Sequence, residues 1–83
     1  MDMLSNRLKQ LRIEKGKTQK EMAKDLGTTD VSIGRYEKGE REPKTDMLNA
    51  LANYFDVTTD YLLGRTDEKN PKKEINNATT IAA

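Results

Sequence analysis

The sequence predicts an all-α fold, and two observations support that prediction. Strict alternation of apolar and polar residues is absent, whereas Ala, Leu, Lys, Glu and Gln, which favour helices, are frequent. Start and stop signals for helices recur along residues 4–64 and divide this stretch into five short segments. We therefore expect a compact five-helix bundle as one domain over residues 1–65, followed by a flexible tail or linker over residues 66–83.

The first helix is marked by three leucines and the second by a cap. Leu4, Leu8 and Leu11 follow one another at spacings of four and three, which places them on one helical face. Gly16 then suits the residue that ends the helix. Thr18 opens the sequence T-x-x-E, the pattern of a capping box, so we expect the second helix to begin there.

A third helix follows closely on the second. Gly27 ends the second helix, Thr29 is the predicted N-cap of the third, and Gly39 ends the third. Gly34 lies inside the third helix at a cost of roughly 1 kcal/mol relative to Ala. It would allow close approach either to DNA or to the second helix, and we expect packing on the second helix. Two helices joined this way match a helix-turn-helix, although an ordinary helical hairpin has the same spacing.

Two further helices complete the predicted bundle. Thr45 is the predicted cap of the fourth helix, and Thr59 is the predicted cap of a short fifth helix that Gly64 ends. Apolar residues at helical spacing define the predicted core. Its members are Leu8, Leu11, Met22, Ala23, Leu26, Ile33, Tyr36, Leu48, Leu51, Phe55 and Leu62.

Composition excludes several classes of function. The chain has no cysteine and no histidine, which removes disulfides, thiolate metal sites and the usual general base. No nucleophile lies in a pattern with a base, so we expect no enzyme activity, no metal and no cofactor. No apolar run is long enough for a signal peptide or a membrane span, which predicts a cytoplasmic protein with no membrane partner.

The net charge of +1 conceals an uneven distribution of charge along the chain. Residues 7–44 carry eleven Lys and Arg against seven Asp and Glu, whereas residues 45–64 carry three Asp and no basic residue. A basic front of this kind can bind a polyanion while the rest of the domain keeps a nearly neutral balance. A merely solvated mixture of charges would give the same composition.

The pattern of motifs is more specific than the composition. The stretch TQKEMAKDLGTTDVSIGRYEKGEREP, followed by LNALANYFDVTTDYLLG, resembles the phage-repressor class of helix-turn-helix regulators, which includes lambda repressor, Cro and Xre-type proteins. The resemblance covers residues 4–64, with TQ-x-x-x-A, I-x-x-YE-x-G and LA-x-x-F-x-V-x-x-DYLLG at the family's spacing. It implies a lambda-repressor-like bundle that represses transcription by binding a palindromic operator in double-stranded DNA, usually as a homodimer.

The resemblance also implies roles for individual residues. Arg12 and Glu37 match a family pair that forms a structural salt bridge, and Gln19 matches a glutamine that bonds a phosphate and braces the recognition helix. The implied base-reading residues are Asp30, Val31, Ser32 and Arg35. The full set of candidate phosphate contacts, which adds nearby basic and hydroxyl side chains, is Lys17, Thr18, Gln19, Lys20, Thr29, Lys38, Arg41 and Lys44.

The four base-reading candidates differ in chemistry. Arg35 can bond guanine O6 and N7 together, Val31 can pack on a thymine methyl group, and Ser32 can reach a base or a phosphate. Asp30 departs from the family, which often has a neutral polar residue there. Its carboxylate can accept from cytosine N4, or it can serve only the helix N-terminus.

Some alternatives remain open on the sequence alone. The same fold could serve as a protein-interaction module, antitoxin-like or bound by an anti-repressor, in which the acidic residues 45–64 would matter most. Tyr61, Leu62, Leu63 or Phe55 could form an apolar edge for a second copy, although Leu62 and Phe55 are expected in the core. A C-terminal domain that carries dimerisation could also be missing.

Overall fold

The computed structural model describes residues 3–70, and this part of the chain contains five α-helices and no strand. The predicted all-α, five-helix fold is therefore confirmed. Residues 71–83, which include most of the predicted tail, lie outside the described residues. The helices are α1 (Met3–Glu14), α2 (Gln19–Leu26), α3 (Asp30–Lys38), α4 (Thr45–Tyr54) and α5 (Thr59–Leu62).

The caps of α2 and α3 are formed as the sequence predicts. Thr18 Oγ1 accepts from Glu21 N at 3.0 Å, and Glu21 Oε1 accepts from Thr18 N at 2.9 Å, which completes the capping box. The bond from the Thr18 backbone lowers the pKa of the Glu21 carboxyl. Gly27 ends α2 at φ 70°, a left-handed conformation that favours glycine, and Thr29 caps α3 by accepting from Ser32 N at 3.2 Å.

The predicted caps of α4 and α5 are each wrong by one residue. Lys44 is the N-cap of α4, where its carbonyl oxygen accepts from Leu48 N at 2.7 Å, and Thr45 is already helical. Thr58, rather than Thr59, caps α5, because its extended backbone lets Oγ1 accept from Tyr61 N at 3.0 Å. Neighbouring threonines offer the same hydroxyl, and only the backbone conformation decides between them.

The core lies where the five helices meet, and α2 packs mainly on α3. Most of the predicted core is buried, but Leu26, Leu48 and Phe55 are only partly buried and pack on its rim. Leu26 is the last residue of α2, where the chain turns away from the core. The buried apolar residues are Leu4, Leu8, Leu11, Met22, Ala23, Ile33, Tyr36, Leu51, Ala52, Val57, Tyr61 and Leu62.

Arg7 is a buried cation that joins α1 to the chain after α5. Its guanidinium donates to the carbonyl oxygens of Tyr61 and Thr66 and to Asp67 Oδ1, the latter two at 2.7 and 2.8 Å. It also lies over the Tyr61 ring, 4.0 Å from the centroid. Tyr61 is therefore held inside the bundle, and of the suggested apolar edge only Leu63 is exposed.

Contacts with the bundle continue beyond the predicted domain boundary at residue 65. Thr58 N donates to Lys69 O at 3.0 Å, and the Lys69 ammonium pairs with Glu14 at 3.0 Å, which raises the pKa of Lys69. Asn70 Nδ2 donates to the carbonyl oxygen of Asp56 at 3.1 Å. None of the helices within residues 3–70 is long and apolar enough to cross a membrane.

Candidate nucleic-acid interface

The geometry of α2 and α3 presents one face of α3 to solvent. Ile33 and Tyr36 bury the inner face of α3 in the core. Val31, Arg35 and Lys38 follow one another at spacings of four and three, so they lie along the opposite, exposed face. Val31, an apolar residue, is 58% exposed there. We call these three residues the α3 stripe; it combines one apolar side chain with two cations.

The two remaining base-reading candidates flank the stripe at the start of α3. Asp30 is exposed and, like Lys20, lines a shallow groove between α2 and the start of α3. Ser32 is half-buried, and its hydroxyl is hydrogen-bonded to Thr29 Oγ1 at 3.1 Å. The structure thus brings all four predicted base-reading residues to the first turns of one helix, which is the part that enters the major groove in helix-turn-helix proteins.

A polar network behind α3 joins three helices. Arg12 of α1 pairs with Glu37 of α3, with Nε to Oε2 at 2.7 Å and Nη2 to Oε1 at 3.2 Å. Gln19 of α2 donates to Glu37 Oε1 at 3.1 Å, and Arg12 Nη1 donates to Lys17 O at 2.8 Å. The side chains of Arg12 and Glu37 are only 13% and 3% exposed. The network holds the start of α2 and the end of α3 in one arrangement.

Gly34 of α3 faces the Gln19 side chain of α2. A Cβ atom at Gly34 would lie 3.6 Å from Gln19 Oε1, an ordinary van der Waals distance. The glycine therefore faces α2 rather than the α3 stripe. Because an alanine Cβ would also fit at this position, the packing of the two helices does not require a glycine there, contrary to the expectation from the sequence. The contact and the bond to Glu37 together orient the Gln19 amide at the N-terminus of α2.

The candidate phosphate contacts fall into two groups. Thr18 and Thr29 use their hydroxyls as helix caps, and the Lys17 ammonium lies 3.4 Å from Asp25 Oδ2. The other basic candidates are exposed and form no ion pair with a residue in the described range 3–70. These residues are Lys20, Lys38, Arg41 and Lys44.

The sequence did not predict the contact between Asp25 and Tyr54, which lies beside Lys17. The Tyr54 hydroxyl of α4 donates to Asp25 Oδ2 of α2 at 2.6 Å, and this bond lowers the pKa of the Asp25 carboxyl. Burial, followed by the bond to Asp25, raises the pKa of Tyr54 to about 12. The two residues are 29 positions apart, so no local motif could have indicated their contact.

Two short helices joined by a tight turn, with an exposed apolar and basic stripe on the second, define a helix-turn-helix protein. The chain belongs to the Helix-turn-helix family, whose model matches residues 8–62. This range contains α2, α3, the turn between them and the whole polar network.

Individual relatives agree with this assignment. The chain is 45% identical over 71 residues to the HTH-type transcriptional regulator ImmR of Bacillus subtilis, which covers 86% of this chain and 55% of ImmR. It is 41% identical over 82 residues to the SPbeta prophage-derived uncharacterized HTH-type transcriptional regulator YonR of Bacillus subtilis, covering 98% of this chain and 76% of YonR. The chain thus spans about half the length of ImmR.

A solved structure has the same fold. The P22 c2 repressor, crystallised in complex with a synthetic operator, superimposes with a TM-score of 0.72 at 28% sequence identity. The similarity covers 76% of this chain and 96% of that chain. The phage-repressor type of helix-turn-helix, to which the sequence motifs point, is confirmed by this match and by the family.

Proposed function

We propose that this chain is the DNA-binding part of a transcriptional repressor, which binds a palindromic operator in double-stranded DNA through the major groove. The observation that supports the proposal most strongly is the exposed α3 stripe of Val31, Arg35 and Lys38 on a helix braced from behind by the Arg12–Glu37 pair. The similar P22 c2 repressor was crystallised with an operator. The proposed activity is binding in the cytoplasm and not catalysis.

The proposed division of labour follows the exposure of each side chain. Asp30, Val31, Ser32 and Arg35 are the proposed base-reading residues, because they share the first turns of α3. Lys20, Lys38, Arg41 and Lys44 have ammonium or guanidinium groups available for phosphates, and Gln19 has its amide held at the N-terminus of α2. Lys17 would have to exchange its Asp25 partner for a phosphate.

We further propose that the protein binds its operator as a homodimer. A palindromic operator presents two identical half-sites about one helical turn apart, and each copy would place its α3 in one of them. A two-fold arrangement doubles the number of base contacts, because both copies use the same base-reading residues. In the alternative function, the acidic residues 45–64 would bind an anti-repressor protein.

Selection of binding sites from a pool of random duplex DNA tests the proposal. We expect one enriched palindrome, and binding that weakens steeply as salt is raised. Arg35→Ala should weaken binding to it by roughly 1–3 kcal/mol and abolish the base preference at one position in each half-site. Lys9→Ala removes an exposed cation of α1, outside the helix-turn-helix, and should leave the preference unchanged.

Two results would contradict the proposal. The first is a pool from which the purified protein enriches no common sequence. The second is an Arg35→Ala variant that retains the main binding activity, which would favour the protein-interaction module instead.

A further inference from the structure

Lys17 differs from the other basic candidates for phosphate contacts because its ammonium already has an anionic partner. It lies 3.4 Å from Asp25 Oδ2, and the Lys17 side chain is only 34% exposed, so most of it is covered by the protein. Lys20, three residues further along, is exposed and forms no ion pair with a residue in the described range 3–70. A lysine ammonium strengthens DNA binding when it lies close to a phosphate.

The position of Asp25 directs the Lys17 side chain away from the start of α2. Asp25 is the next-to-last residue of α2 and follows Gln19 by six residues, so the rise of the helix separates the two by about 9 Å along its axis. The free N–H groups that bind a phosphate lie at the N-terminus of a helix. The Lys17 ammonium therefore lies beside the last turn of α2, whereas a phosphate would be bound at the first turn.

Two further side chains belong to this cluster. The Tyr54 hydroxyl of α4 donates to Asp25 Oδ2 at 2.6 Å, and this is the same oxygen that the Lys17 ammonium approaches. The bond from Tyr54 is the largest cause of the lowered pKa of Asp25, so the carboxyl group is ionised at neutral pH. The Lys15 ammonium lies 4.9 Å from the centroid of the Tyr54 ring. Tyr54 thus fixes the carboxylate of Asp25, and two lysines between α1 and α2 lie against this pair.

We propose that Asp25 is a positioning residue that withholds Lys17 from the phosphates of DNA and so limits the sequence-independent part of the affinity. Phosphate contacts strengthen binding to every duplex, whereas base contacts favour the operator. Asp25 is present at every encounter with DNA, and the Tyr54 bond holds its carboxylate in place before any phosphate arrives. This inference rests on the proposed function and removes one cation from its set of phosphate contacts.

The number of phosphate contacts can be measured from the salt dependence of binding. The logarithm of the binding constant falls linearly with the logarithm of the salt concentration, with a slope of about −0.9 for each phosphate contact. Lys17→Ala should leave this slope unchanged on the selected operator. Lys20→Ala is the matched control, since it removes a neighbouring lysine without an ion pair and should make the slope shallower by about 0.9 for each bound copy. A slope that becomes equally shallow in Lys17→Ala would overturn the inference.

The second test releases Lys17 by removing the charge of Asp25. Asp25→Asn retains an oxygen that accepts the hydrogen bond of Tyr54 but no longer attracts the ammonium. The slope should become steeper by about 0.9 for each bound copy, because Lys17 can now turn towards a phosphate. In this background Lys17→Ala should make the slope shallower by about 0.9, although it has no effect in the wild type. The loss of one acidic residue is common to both proteins of this background, so their difference reports on Lys17 alone.

The results separate this inference from the proposed function. If one palindrome is selected and Lys17→Ala has no effect in either background, Asp25 does not withhold Lys17 and only this inference is wrong. If Lys17→Ala changes the slope equally in both backgrounds, Lys17 contacts a phosphate in spite of Asp25, and again only this inference is wrong. If no sequence is selected from the random duplex pool, the proposed function fails with it.

Discussion

At the scale of single residues, Val31 is the apolar member of the α3 stripe and lies exposed to solvent. It is 58% exposed on α3, whereas Ile33, two residues further along, is completely buried. An apolar side chain exposed between polar neighbours loses contact with water only when a partner covers it. Within the proposed function, the methyl group of a thymine is the apolar group available to it in the major groove.

Val31→Ala should therefore weaken operator binding by about 1 kcal/mol, about fivefold, because each buried methylene contributes about 0.8 kcal/mol. Replacing the contacted thymine by uracil should have the same effect on the wild-type protein. The two changes together should cost little more than either alone, since both remove one contact. Binding titrations of both proteins on both operators measure this, and additive losses would show that Val31 contacts something else.

The roles of individual residues could be predicted from the sequence only where those residues belong to a motif of the family it resembles. The sequence indicated Arg12 with Glu37 through the family resemblance, and the structure places their atoms 2.7 Å apart. The bond between Asp25 and Tyr54 had no such motif, because the two residues belong to helices that meet only in the folded chain. The sequence also did not indicate the hydrogen bond between the Thr29 and Ser32 hydroxyls, since it depends on the rotamers of two side chains.

At the scale of the helices, the Arg12–Glu37–Gln19 network is the feature that holds α3 in place. The side chains of Arg12 and Glu37 are almost completely removed from water. Gln19 donates a further hydrogen bond to the Glu37 carboxylate. Removing one partner of a buried ion pair leaves the other charge uncompensated, which costs about 3–5 kcal/mol. The bundle has a small core, so a loss of this size is a large part of its stability.

Glu37→Gln should lower the free energy of unfolding by about 3 kcal/mol, because it leaves the buried Arg12 without a negative partner. Glu14→Gln is the matched control, since the Glu14–Lys69 pair is about half exposed and should contribute less than about 1 kcal/mol. Chemical denaturation of the three proteins measures both values. A Glu37→Gln protein as stable as the control would show that Arg12 is solvated when its partner is lost.

Helix boundaries were predictable where the start signal is unambiguous. Thr18 with Glu21 forms a complete capping box at the start of α2. The left-handed conformation at its end favours glycine, which Gly27 supplies, so both ends of α2 were predictable. The start of α5 was placed one residue late, because Thr58 and Thr59 carry identical signals. At α4 the cap is Lys44, whose side chain makes no capping bond, so no residue preference marks it.

At the scale of the whole molecule, residues 65–70 close the bundle on the side of α1 and α5. Polar contacts of Arg7, Glu14, Asp56 and Thr58 hold this segment. Apolar periodicity ends at Gly64, so a boundary drawn from periodicity falls before these contacts. The bundle to which they attach was predictable because the five helices share one apolar core, whereas polar contacts between distant residues leave no periodic trace.

Among these contacts, Arg7 should contribute much more to stability than Asp67, with which it forms a salt bridge. Asp67 is 99% exposed, so Asp67→Ala should lower the free energy of unfolding by less than about 1 kcal/mol. Arg7→Ala removes a buried guanidinium from the carbonyl oxygens of Tyr61 and Thr66 and should cost about 2–3 kcal/mol. The amide of Thr58, bonded to Lys69 O, reports directly on the attachment of residues 65–70.

Hydrogen exchange at the Thr58 amide should therefore become faster in Arg7→Ala. The increase should exceed the one expected from the lower global stability alone, because residues 65–70, which cover this amide, detach locally. In Asp67→Ala the same amide should exchange nearly as in the wild type. If Asp67→Ala and Arg7→Ala accelerate Thr58 equally, the exposed ion pair holds the segment and the buried carbonyl bonds do not. That result would reverse the order of strength that burial predicts for the two interactions of Arg7.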